Sequence, residues 1–172
     1  MLPTIHIRRY EPTDIDALYE AVIESRAELS PWMAWCHADY SRTETAGWVE
    51  SRAGAWENNS EWSFVIVDAD GRILGACGIH RFDLLNGVGE VGYWVRSSAT
   101  RQGVGSEAVR QLTQWAFQEQ GLHRIEMLVS VENFPSLRVA VKAGAACEGV
   151  LRQRLILNGR RHDAVMWAII KS

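Results

Sequence analysis

The chain has 172 residues, 47% of them hydrophobic and 23% charged, with a formal net charge of −3 at pH 7. That length fits one domain over residues 1–172 with a sizeable core, and the scattered basic residues give no nucleic-acid footprint. Without a long apolar run or an apolar segment near the N-terminus, neither membrane spanning nor export is indicated, and a cytoplasmic location is expected.

Thr4–Arg9 alternates Ile5 and Ile7 with polar neighbours and reads as a first strand. Pro12-Thr13-Asp14 then supplies a turn and an N-cap for a helix over about 15–29. Ser30-Pro31 breaks it. The apolar segment Pro31–Cys36 allows two readings: a hydrophobic staple onto the core, or Trp32 and Trp35 lining a substrate entrance. Ser41-Arg42-Thr43-Glu44 is a capping-box pattern that opens a helix to about Asn58. Trp62–Asp68 is a strand, Asp68-Ala69-Asp70-Gly71 a hairpin turn, and Ile73–His80 the returning strand. Asn86-Gly87 turns the chain again into Glu90–Val95, which completes a three-stranded meander.

Gly103 to Gln120 carries Val104, Ala108, Leu112, Trp115 and Ala116 at the spacing of an amphipathic helix, and Gly121 is a natural stop. A further strand, Arg124–Val129, precedes a helix that starts at Asn133-Phe134-Pro135-Ser136 and ends at Gly144. Two last strands, about 147–157 and 161–170, are joined by Asn158-Gly159. Cys36, Cys77 and Cys147 lack C-x-x-C spacing and fit reduced thiols. The five histidines show no paired spacing, so no metal is expected.

The stretch richest in information joins the Glu90–Val95 strand to the helix after Gly103. Its loop, Ser97–Ser106, places two glycines at a helix start, where unpaired N–H groups and the positive end of the helix dipole attract phosphate. Gly-x-Gly alone is also compatible with a tight strand-to-helix connection capped near Ser106. A Rossmann fingerprint fits poorly, because Ala108 stands where its third glycine would be, and no Walker A sequence occurs.

In order and spacing, Gly92-Tyr93-Trp94-Val95, Gln102-Gly103-Val104-Gly105, Val131-Glu132-Asn133 with Ser136, and Leu157-Asn158-Gly159 followed by His162-Asp163 resemble the GNAT N-acetyltransferase superfamily. The nearest likeness is to its RimJ/RimL branch, which acetylates protein N-terminal amines, and it spans essentially the whole chain. The resemblance implies an α/β (α+β) fold: a mixed, mostly antiparallel sheet flanked by helices. It further implies acetyl-CoA as cosubstrate. The backbone of Arg101, Gln102, Gly103, Val104, Gly105 and Ser106 would hold the pyrophosphate. Trp94 and Val95 would pair with pantetheine at the end of their strand, and Asn133 would hydrogen-bond it or cap its helix. Thr100 stands where such loops usually carry Gln or Arg.

Acetyl transfer to an amine requires loss of an ammonium proton, polarisation of a thioester carbonyl and a proton for the thiolate. By the same resemblance Glu90 is the candidate base, directly or through water, and Ser136 the candidate acid. Each also has an ordinary structural reading, as a solvated strand carboxylate and a first-turn helix serine. Tyr93 is a weaker acid candidate whose side chain reads more readily as core, and His80 and His123 read as structural. Some Rim-type enzymes carry a glutamate before the Leu-Asn-Gly turn, but this chain has Arg152-Gln153-Arg154-Leu155-Ile156 there. The expected reaction is direct transfer in a ternary complex to a protein N-terminus of the ribosomal type. A small-molecule amine, amino-acid or antibiotic acceptor is the alternative, and a non-catalytic acyl-CoA sensor is a third reading. A homodimer is expected from the family.

Overall fold

The computed structural model describes residues 4–171. Met1–Pro3, the start of the segment read above as lacking an apolar export sequence, lie outside the described residues, as does Ser172. The strands are β1 (Ile5–Arg8), β2 (Trp62–Asp68), β3 (Ile73–Asp83), β4 (Val88–Val95), β5 (Arg124–Ser130), β6 (Ala146–Leu157) and β7 (Arg160–Ile170). The helices are α1 (Ile15–Leu29), α2 (Arg42–Glu57), α3 (Val104–Glu119) and α4 (Phe134–Ala143). One seven-stranded sheet runs β1-β2-β3-β4-β5-β7-β6. Among the described residues only β4 and β5 pair in parallel, joined by the α3 crossover, so the mixed and mostly antiparallel sheet inferred from the resemblance is the one observed.

Strand alternation divides the core in two. Phe64 and Ile66 of β2 face α3 and α4 with Leu112, Val109 and Ile125, whereas Val65 and Val67 face α1 and α2 with Leu18, Val22 and Val49. Helix starts follow their capping residues, with one correction. Ser41 and Glu44 form the expected capping box. Asp14, expected as the N-cap of α1, makes no side-chain cap there. Its carboxylate instead accepts from the Glu11 N–H at 2.8 Å and from Arg8 at 2.7 and 2.8 Å, which anchors β1 to the 3-10 turn at Pro12–Asp14. A longer-range partner took the carboxylate from the local one.

The feature that positions the site is the way two strands part. β4 and β5 pair only from Val88↔Arg124 to Glu90↔Glu126. Beyond Glu90, β4 stays on β3 as far as Val95, while β5 stays on β7 as far as Ser130. A cleft opens between them.

Candidate active site

The cleft encloses about 110 Å³ and is lined by Val91, Gly92 and Tyr93 of β4, Met127–Ser130 of β5, and Asn133 and Ser136 at the start of α4. Trp32, Met33, Leu155 and Leu157 close its outer side. The turn after β6 is held against that wall, because Asn158 Nδ2 donates to the Ser30 and Pro31 carbonyls at 3.4 Å. Asn133 serves the helix: its Oδ1 accepts from the Ser136 N–H at 3.2 Å, which leaves its amide nitrogen for a ligand. A hydrogen bond of 2.9 Å joins Ser136 Oγ to the Tyr93 hydroxyl. Tyr93 therefore reaches the cleft rather than serving only as core. Burial pushes its hydroxyl up to about 12, so it is a proton carrier at neutral pH.

Gly105 explains how Tyr93 gets there. A Cβ at Gly105 would lie 3.1 Å from Tyr93 Cε2 and 3.4 Å from Val95 and Val139, so the second glycine of the loop makes room for the ring. Gly103, the N-cap residue of α3, has φ +86°, and no side chain caps the helix. The first N–H groups of α3, at Val104, Gly105 and Ser106, have no intrahelical acceptor and are free to hold an anion. Arg101 and Gln102 lie exposed before them. The loop itself is tied to α1: Glu24 accepts from Arg96 Nε at 2.5 Å and from the Ser98 N–H at 3.0 Å, and Ser97 N–H donates to Ser25 Oγ. Orphaned helix donors, a parted strand edge and a narrow cleft make a fitting seat for a pyrophosphate carrying an extended arm.

On the opposite face of β4 lies a larger cavity, about 450 Å³, walled by Tyr10, Trp35, Tyr40, Trp48 and Trp94 together with Leu18, Val22 and Met33. Trp35 packs against Trp94 at 6.2 Å and against Tyr40 at 5.6 Å between ring centres. Its carboxylates are already partnered. Glu44 holds the Ser41 N–H and His37, and Glu61 holds Arg52 and Ser63 Oγ. Cys77 also lines this cavity, and burial pushes its thiol well above the usual range, which disfavours a thiolate nucleophile.

Met33, Gly92 and Tyr93 line both cavities, so cleft and aromatic cavity meet at Gly92. There the two sides of a transfer reaction would come together. Trp32 stands on the cleft side and Trp35 on the aromatic side, while Trp94 offers its ring to the aromatic cavity and Val95 ends the unpaired edge.

Glu90 lines neither cavity. Its carboxylate lies 3.0 and 3.1 Å from Arg81 Nη1 and 3.4 Å from His80 Nε2. Burial raises its proton affinity, but His80 and Arg81 outweigh that effect and hold the carboxyl below its ordinary range. His80, read above as structural, lines the aromatic cavity beside Gly92. Tyr10, Tyr40, Trp48 and His80 carried no motif; what could have singled out His80 is its place directly across from Glu90 in the meander.

An acetyltransferase (GNAT) domain model matches residues 4–146. "Putative ribosomal N-acetyltransferase YdaF" of Bacillus subtilis (strain 168) is 31% identical, over 97% of this chain and 91% of that protein. The ribosomal-protein-serine acetyltransferase of Escherichia coli (strain K12) is 27% identical over 91% and 87%. Among solved structures, Mycobacterium smegmatis RimJ in complex with CoA-disulfide superposes with a TM-score of 0.83 at 25% identity, covering 96% of this chain and 81% of that one.

Proposed function

Because the chain belongs to the GNAT acetyltransferase family, and so is an enzyme that moves an acetyl group from acetyl-CoA to an amine, we propose that its acceptor is a protein N-terminal α-amine of the ribosomal-protein type. The observation that carries the transfer geometry is the junction at Gly92, where the cleft and the aromatic cavity meet. The acceptor class is supported by the names of the two relatives above.

In this reading the N–H groups of Arg101–Ser106 hold the pyrophosphate, and the free β4 edge at Trp94 and Val95 with the Asn133 amide holds the pantetheine arm. Acetyl-CoA supplies the activated acyl group. The Ser136–Tyr93 hydroxyl pair delivers a proton at the thiol, and the Glu90 side of β4 receives the proton lost by the ammonium. Trp32 and Trp35 flank the two approaches to the junction. One domain over residues 1–172 carries all of these parts.

The aromatic cavity favours one second reading, a small amine with an apolar or ring-bearing body, since its walls are rich in aromatic rings. Thiol release from acetyl-CoA separates the two. Turnover of peptides beginning with Ser or Ala supports the N-terminal reading, and turnover of small amines alone overturns it.

A cytoplasmic site of action follows from ribosomal acceptors. Among the described residues no helix is long and apolar enough to cross a membrane. A homodimer is supported by the β6 edge strand, which exposes Val150, Leu151 and Ile156. Sedimentation of the wild type against Val150→Lys/Ile156→Lys tests it: a dimer that the double variant dissociates is expected.

A further inference from the structure

We propose that His80, rather than Glu90 itself, is the group that touches the attacking amine and takes its proton, and that Glu90 is a positioning residue that fixes the ring. The inference rests on the acetyltransferase reading above, but not on which amine is the acceptor.

A bulge in β3 creates the arrangement. On a regular strand, residues 80 and 81 would point to opposite faces. Here the ladder between β3 and β4 shifts register between His80 and Asp83, and Arg81 sits at φ +51°, an uncommon conformation for a side-chain-bearing residue. Both side chains consequently reach the same carboxylate. His80 and Arg81 hold Glu90 below its ordinary range, and its carboxylate lies 3.4 Å from His80 Nε2, which leaves the rest of the ring toward Gly92. A Cβ built at Gly92 would lie 3.1 Å from His80 Cε1 and 3.6 Å from Nδ1, so the Nδ1 edge lies over the residue where the two cavities meet.

The carboxylates of the aromatic cavity are committed. Glu61 is paired with Arg52, and Glu44 with His37 and the Ser41 N–H. Glu90 is shielded behind the imidazole and paired with a guanidinium. In the proposed tautomer the Nε2 proton faces the Glu90 carboxylate, 3.4 Å away, and Nδ1 carries the free lone pair. One N–H bond of the acceptor ammonium breaks and its electron pair stays on the amine nitrogen. The proton bonds to Nδ1, the imidazolium is balanced by Glu90, and the partly exposed ring returns the proton to water.

The test joins a rate with a signature that needs no acceptor. The ring-nitrogen NMR shifts of His80, recorded with and without coenzyme A, are expected to report the Nε2–H tautomer in the wild type and a mixture in Glu90→Gln. On any amine that turns over, His80→Gln is expected to lower kcat by roughly 10²–10⁴-fold at unchanged coenzyme A affinity. Added imidazole is expected to restore part of the rate to His80→Ala, which a purely structural role would not allow. An Nδ1–H tautomer in the wild type, a tautomer indifferent to Glu90→Gln, or full rate in a folded His80→Gln overturns the assignment. Turnover of small amines with none of peptides overturns the acceptor proposal alone and leaves His80 to be judged by its own variants.

Discussion

Tyr93 is the residue on which most of the site turns. It lines both cavities, reaches Ser136 at 2.9 Å, and stands where Gly105 gives way to it. Ser136→Ala is expected to lower kcat by roughly 10²–10⁴-fold if the pair protonates the thiol, with KM for acetyl-CoA little changed. Steady-state kinetics checks this, and Tyr93→Phe is expected to follow Ser136→Ala in direction. Because Tyr93 keeps its proton up to about 12, the rate should show no loss of this donor between pH 6 and 9 in a kcat profile. Gly105→Ala places a methyl against the Tyr93 ring and is expected to lower kcat while leaving the thermal midpoint almost unmoved. Equal loss of stability and rate would place the glycine in packing alone. In the sequence Tyr93 was legible as a weaker acid candidate that read more readily as core, because which face it took depended on where β4 leaves β5.

At the scale of elements, the loop before α3 owes its shape to α1. Ser98 and Arg96 hold the Glu24 carboxyl at about 2, well below its ordinary value. Such a depressed carboxyl stabilises the fold fully above its unfolded value near 4.5, and that contribution is lost as pH falls from there toward 2. Glu24→Gln should therefore flatten the acid side of the stability profile and weaken coenzyme A binding several-fold, measured by denaturation at pH 3 and 7 and by calorimetry. In the core, Leu112→Ala should cost about 2–5 kcal/mol, since the side chain is fully buried against the sheet. Elements with strong local signals were legible from sequence: the Ser41–Glu44 box, the Asn158-Gly159 turn with positive φ at both residues, and the Gly103 start of α3. The insertion of β7 between β5 and β6 and the bulge at Arg81 were not. The first depends on pairing between distant segments and the second on a register shift inside one hairpin, and neither leaves a mark on residue order.

At the scale of the molecule, the proposed transfer rests on the parting of β4 and β5. The helix N-terminus of α3 and the cleft lie on one side of β4, and the aromatic cavity lies on the other. Gly92, with Met33 and Tyr93, lines both, and a side chain there would crowd the His80 ring. The family relationship accounts for the first half of this design. The acceptor half rests on residues scattered over Tyr10, α1, the Met33–Tyr40 segment, α2 and β3, which is why sequence motifs carried the cosubstrate further than the amine.

The most direct measurement is therefore transfer across that junction: mass spectrometry of a Ser-initiated peptide after incubation with acetyl-CoA, for the wild type and Gly92→Val. One acetyl group on the α-amine is expected with the wild type. Gly92→Val should transfer almost none, because its side chain crowds the meeting point beside His80. Wild-type transfer by Gly92→Val would contradict a reaction centre at Gly92.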